Sequence, residues 1–183
     1  MKHIRHFAVL ACLGLFLVGC ASPAEVKNMT VDQSTFVASV PDTPFKNGLT
    51  IKQVNGGEET NPLWTSEVSN SGFGEALKQS VQQSGLMAPT PLEARYDVYA
   101  TLASMDQPLF GLDFQVTSRV NYRVIERETL KTWFDEGVVS SYTATFSDAA
   151  LAIQRLRFAN EGSIRENITE FIKRLMSVDK PMN

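Results

Sequence analysis

Phe114-Gln115-Val116-Thr117-Ser118-Arg119-Val120-Asn121-Tyr122-Arg123-Val124-Ile125-Glu126-Arg127 decides the fold of this chain. Phe114, Val116, Val120, Tyr122 and Val124 fall on even positions, whereas Gln115, Thr117, Arg119, Asn121, Arg123 and Arg127 fall on odd ones. Successive strand side chains point to opposite faces, so the segment reads as a strand with one dry face and one wet face. A parallel strand buried on both faces would be apolar throughout, so this pattern argues for antiparallel neighbours.

Working outward, Tyr96, Val98, Ala100 and Leu102 alternate with Arg95, Asp97, Tyr99 and Thr101. On the other side, a turn at Glu128-Thr129-Leu130 leads into a strand expected from Lys131 to Phe146. There Val138, Tyr142, Ala144 and Phe146 should point inward, with Gly137 marking a bulge. These three strands make an antiparallel meander. Leu49–Val54 also alternates and ends at the turn signal Asn55-Gly56-Gly57, and Thr35–Val40 is a short strand candidate stopped by Pro41. Residues 55–70 read as a loop carrying the apolar pair Leu63-Trp64.

Two segments have helical periodicity. Over 71–84, Phe73, Leu77 and Val81 share a face, Ser71 is placed to cap the start and Gly85 the end. A long carboxy-terminal helix is expected from Ser147-Asp148, with Ala149, Ile153, Leu156, Ile164, Ile168, Phe171, Ile172 and Leu175 as its stripe. Gly162 is a candidate kink, and Glu161 with Arg165 and Glu170 with Arg174 are spaced for i,i+4 pairing. The expected fold is α+β: an antiparallel sheet of three to five strands, with two helices packed on one face. It should occupy residues 35–178, with 179–183 a frayed tail.

The amino terminus is organised differently. Lys2, His3, Arg5 and His6 precede an uncharged run from Phe7 to Val18, 12 residues long, against about 20 for a membrane span. Basic start, short apolar middle and small residues at the end make a secretory signal peptide. Its closing Leu17-Val18-Gly19-Cys20 resembles the lipobox of bacterial lipoproteins. That resemblance implies removal of residues 1–19 and acylation of Cys20, hence a lipid anchor. Residues 20–34 read as a lipidated cysteine and flexible tether, able to reach about 45–50 Å when extended. By resemblance to sorted Gram-negative lipoproteins, Ala21 and Ser22 after the cysteine imply the periplasmic face of the outer membrane.

Composition then excludes chemistry. Both histidines, His3 and His6, lie in the signal peptide, as does Cys12, and Cys20 is committed to lipid. Without histidine or free thiol, the domain cannot build Ser-His-Asp or Cys-His sites or a His/Cys zinc site. No enzyme, cofactor or metal is expected. Loss of Lys2 and Arg5 from 17 basic side chains leaves 15 against 20 acidic ones, a formal charge of −5. Ten of those 15 follow residue 113, which gives the second half a mildly basic surface.

Several motifs imitate sites. Ser71-Gly72-Phe73-Gly74 before a helix lacks the third glycine and the lysine of phosphate loops. Glu58-Glu59 and Asp135-Glu136 are paired carboxylates, but strand neighbours such as Asp135 and Glu136 face opposite ways. Asn28-Met29-Thr30 and Asn167-Ile168-Thr169 match a glycosylation pattern that a bacterial lipoprotein does not use. The row Arg119, Arg123, Arg127 is the candidate surface for a partner or anion, about 27 Å long at strand rise. Tyr99 and Trp133 are possible aromatic anchors beside it.

Phe73-x-x-x-Leu77, Gly85-Leu86, Tyr96-x-Val98 and Arg157-x-Ala159-x-Glu161-Gly162-x-Ile164-x-x-Asn167-Ile168 give residues 71–177 a pattern that resembles small periplasmic lipoprotein domains of the TolB amino-terminal and CsgG-like kind. The resemblance implies action by binding partners. A non-catalytic adaptor or accessory subunit of an envelope complex is therefore expected, its partners being the membrane and envelope proteins. Phospholipid or lipopolysaccharide are further possible partners; nucleic acid is not expected. A carrier of lipid or another apolar ligand is the alternative. An acyltransferase of sugar-lipid synthesis is disfavoured, because the mature chain lacks the histidine and the hexapeptide repeats typical of that class.

Overall fold

β3, Phe114–Glu126, is an interior strand of a four-stranded sheet ordered β1-β2-β3-β4. In the computed structural model, which describes residues 22–36, 43–60 and 66–182, its even-numbered side chains from Phe114 to Val124 are buried. Antiparallel neighbours flank it: β2, Tyr96–Asp106, and β4, Thr132–Ala144. The meander is as expected. β1, Leu49–Asn55, instead pairs parallel to β2, so the sheet is mixed rather than wholly antiparallel. The reason is α2, Asn70–Gln83, which carries the chain back between β1 and β2 as a parallel crossover requires. Alternation in Leu49–Val54 reported a wet face, which either direction allows.

α2 and the long α3, Ala152–Met176, cover one face. Between sheet and α3, Tyr122 stacks on Phe171 with ring centroids 4.0 Å apart, and Phe134 meets Phe171 edge-on at 5.5 Å. Nearer the β1 side, Phe45, Tyr96 and Trp133 form an edge-to-face trio. Trp133 therefore belongs to the core margin and not to the arginine row. It is also the extra residue in β4 where the register with β3 shifts, whereas Gly137 pairs regularly with Asn121. The bulge lies four residues from where the glycine placed it.

Helix ends differ from expectation too. Ser69, not Ser71, caps α2, its hydroxyl accepting from the Gly72 N–H at 3.1 Å. Ser147 caps nothing: residues 146–148 form a turn, closed by the Asp148 carboxylate accepting from the Thr145 N–H at 2.7 Å, and α3 begins at Ala152. Phe146 lies beyond β4 and is exposed. Gly162 produces no break, since α3 is continuous through it.

The largest correction concerns the tether. From Ser22 the chain is packed on the domain, through α1, Val26–Met29, and a 3-10 turn at Gln33–Thr35, which replaces the start of the strand expected over 35–40; residues 37–40 lie outside the described residues. Met29 and Val31 are fully buried, and the Val31 N–H donates to the Ser80 hydroxyl at 2.9 Å. Three apolar residues, Val26, Met29 and Val31, dock this polar stretch against α2 and α3, and a four-residue helix is too short to show periodicity. The far tail is held as well, the Met182 N–H donating to the Thr132 carbonyl at 2.8 Å. Cys20 lies outside the described residues.

Candidate functional site: the bare face of the sheet

No described element covers the second face of the sheet. Odd-numbered side chains of β3 stand on it, flanked by Tyr99 and Thr101 of β2 and by Asp135, Val139 and Ser141 of β4. The three arginines share this face but not their circumstances. Arg127 sits just past β3, where its Nε and an amino nitrogen each lie 2.7 Å from Asp97 Oδ1. Another amino nitrogen donates to the Pro91 carbonyl at 2.7 Å. It fastens the loop before β2 and is half-buried. Arg123 faces Asp135 directly across β4, with Nε and an amino nitrogen 2.9 and 2.8 Å from Oδ2. An exposed cross-strand pair of this kind contributes about 0.2–1 kcal/mol. Arg119, opposite Val139 and Ser104, has no ion-pair partner among the described residues.

Beside Arg123 the face dips. A shallow hollow of about 480 Å³ is lined by Tyr99, Thr101, Asn121, Arg123, Ile125 and Asp135. Gly137 sits next to it, and a methyl there would stand 3.0 Å from Asn121 Oδ1. The hollow pairs an aromatic wall with a charged rim, and Arg119 stands outside it, unpaired among the described residues. Such a face can seat a partner's side chain and offer Arg119 to a carboxylate.

The remaining motifs do not converge. Glu136 turns to the helix side and meets Arg174, opposite to Asp135 as strand geometry requires. Ser71-Gly72-Phe73-Gly74 forms the first turn of α2, with Phe73 fully buried. Glu58 and Glu59 lie in the loop after β1. Among the described residues, no three His, Cys, Asp or Glu side chains group as a metal site.

Two polar clusters escaped the sequence reading, and both are structural. Asn167 of α3 accepts from the Tyr122 hydroxyl at 3.0 Å and donates to the Val138 and Ser118 carbonyls at 2.9 and 3.3 Å. Ser118 in turn donates to the Ser163 carbonyl at 3.1 Å. Burial pushes the Tyr122 phenol well above its ordinary 10.0. The signal was legible: Ser118 and Asn167 are polar residues in phase with apolar stripes. The second cluster centres on buried Glu161, which accepts from the Glu25 N–H and from Asn28 Nδ2, both at 2.8 Å. Arg157 reaches Glu25 at 3.2 Å and Glu161 at 3.6 Å. Arg165 donates to the Asn28 carbonyl at 2.7 Å, so its expected pairing with Glu161 is replaced by a clamp on α1. Desolvation raises the Glu161 carboxyl above its ordinary 4.5, against the opposing hydrogen bonds from Glu25 and Asn28. Glu170 and Arg174 do pair, at 2.7 Å.

No family model matches this chain, and no curated protein matches its sequence. Solved structures do resemble it. Protein XCC0632 of Xanthomonas campestris, assigned to DUF330, superposes with a TM-score of 0.52 at 11% identity, covering 74% of this chain and 89% of that one. The hypothetical protein CT253 of Chlamydia trachomatis gives 0.50 at 14% identity, covering 72% and 96%. A Caulobacter crescentus protein designated a candidate lipoprotein gives 0.49 at 14% identity, covering 79% and 92%. The first two likenesses establish a shared α+β fold.

Proposed function

We propose that this chain is a non-catalytic lipoprotein of the bacterial cell envelope. Anchored by acylated Cys20, it acts as an adaptor whose bare sheet face docks a protein presenting carboxylates. The observation that carries this reading is the asymmetry of the sheet. One face is filled by α2 and α3, while the other displays Arg119, Tyr99 and the hollow beside Arg123 with nothing described above them. A carrier would need an apolar chamber of several hundred Å³. Between sheet and α3 that space is occupied by the stacked Tyr122 and Phe171, which favours docking over carriage. Among the described residues no helix is long and apolar enough to cross a membrane, in keeping with attachment through lipid. The outer membrane's periplasmic face is the proposed address.

Photo-crosslinking in cells tests the adaptor reading. A benzophenone side chain at Val139, on the bare face, should give a discrete protein adduct that Arg119→Glu abolishes. The same probe at Lys173, on exposed α3, should not. Equal adducts from both positions, or none from Val139, would sink the proposal. Lipid retained through native mass spectrometry would transfer it to the carrier.

A further inference from the structure

The end of the domain at which Ser22 packs carries an apolar tip. The loop from β2 to β3 presents Leu109, Phe110 and Leu112 at 93%, 86% and 74% exposure. The connection from β4 to α3 carries two more exposed apolar residues, Phe146 and Leu151. These are not independent loops. The Phe146 N–H donates to Asp113 Oδ1 at 3.1 Å, which ties one to the other. Arg155 of α3 holds the second in shape, donating to the Ala149 and Ala150 carbonyls at 2.7 and 2.8 Å. Its guanidinium lies 5.3 Å from the Phe114 ring and 5.2 Å from that of Phe146. A buried cation spent on posture keeps apolar side chains in water, where a monomeric protein gains nothing from them.

The packing of Ser22 says what covers them. Gln107, two residues before Leu109, donates to the Ser66 carbonyl at 3.3 Å, and the Ser66 hydroxyl donates to the Ser22 carbonyl at 2.8 Å. Cys20 is two residues from Ser22, a reach of about 7 Å at most. An acyl chain on Cys20 would therefore bring the bilayer to the end of the sheet where Leu109, Phe110 and Leu112 project. Apolar side chains also stand exposed at the opposite end, but Leu92 and Leu130 come one to a loop, whereas Leu109, Phe110 and Leu112 stand together in one. Gln107 to Leu112 contains no charge at all.

We infer that Leu109, Phe110 and Leu112, with Phe146, insert into the acyl layer of the anchoring membrane as a second attachment that fixes the domain's orientation. This rests on the lipid-anchor reading above. A lone acyl attachment leaves a domain free to swing, whereas lipid plus an apolar contact gives two signals in one place. Insertion also sets the sheet on end, its bare face turned sideways to the periplasm. The tip has no lysine or arginine between Arg95 and Arg119 and is bracketed by Asp106 and Asp113, so its binding is apolar and gains nothing from anionic headgroups.

The test uses the full acylated protein in phosphatidylethanolamine vesicles, with Phe110→Trp as reporter and Leu130→Trp as the far-end control. Lipids brominated along the acyl chain should quench the added emission of Phe110→Trp at least about threefold more than that of Leu130→Trp. Phosphatidylglycerol or high salt should change this little. Equal quenching of the two reporters overturns the inference. So does quenching that requires anionic lipid, or an emission shift that depends on protein concentration in detergent without lipid, which would indicate a second copy. Mass analysis of the amino-terminal peptide keeps the two readings apart: unmodified Cys20 defeats the anchor, whereas acylated Cys20 with equal quenching defeats only the tip.

Discussion

Gly162 of α3 lies against the ring of Tyr142 of β4, so that a methyl on Gly162 would stand 2.3 Å from two carbons of that ring. One of them is the ring's root carbon, which cannot move away without the tyrosine leaving its rotamer. The glycine is there to let helix and sheet approach, and α3 is continuous through it.

Gly162→Ala should therefore destabilise the domain, although alanine is the better helix former by about 1 kcal/mol. Overpacking of about 1–3 kcal/mol outweighs that gain. In a Tyr142→Ala background the clash is gone, and the same change should become neutral or stabilising. Urea denaturation of the four proteins in the cycle measures the coupling; additive effects would remove the packing explanation.

Asn167→Ala should cost about 2–4 kcal/mol in urea unfolding, because it strands the buried Tyr122 hydroxyl and two strand carbonyls. Adding Tyr122→Phe should reduce the penalty of the Asn167 change, since the phenol would no longer need a partner. A double variant as damaged as the sum of the singles would show that the two groups act independently.

The arginine row should separate by role. Arg127→Gln loses the bonds to Asp97 and Pro91 and should lower stability by about 1 kcal/mol. Arg119→Gln should stay within about 0.5 kcal/mol of the parent while weakening the crosslink from the bare face. Thermal melts beside crosslinking decide this, and a large loss of stability at Arg119 would make it structural.

Two carboxylates should pull stability in opposite directions with pH. Hydrogen bonds from the Thr145 backbone and then its hydroxyl hold Asp148 below its ordinary 3.8. Its contribution is present above that value and is lost as pH falls through the lowered folded value. The advantage of the parent over Asp148→Ala should shrink accordingly. Burial raises Glu161 above 4.5, so the parent's standing against Glu161→Gln should be best below pH 4.5 and should fall as pH rises through the raised value. Melting temperatures of both variants against the parent across pH 3–8 give the two slopes; a slope of the other sign at either residue would contradict its assigned environment.

Much of the fold was legible because β3 repeats with period two and α3 with period 3.6, and burial on one face imposes both repeats. The site was legible only in its residue types. Arg119, Arg123 and Arg127 read as three equivalent cations, since spacing on one strand reports the face but not the neighbour. Asp97 arrives from β2 and Asp135 from β4, and those registers turned two of the three into fixed pairs. The docking of Val26, Met29 and Val31 was equally invisible, since a four-residue helix has no period to detect.

By itself the sequence determined the meander, the long last helix and the absence of histidine chemistry in the domain. Each follows from local pattern or from composition, which need no partner in space. Only the tertiary structure decided that β1 runs parallel to β2, that Gly162 is a contact point, and that the chain is already packed on the domain at Ser22. These depend on which distant side chains meet: Tyr142 against Gly162, Ser66 against Ser22, and Glu161 against Glu25. Under the proposed anchoring at Cys20, the packing of Ser22 decides which end of the domain is brought to the membrane.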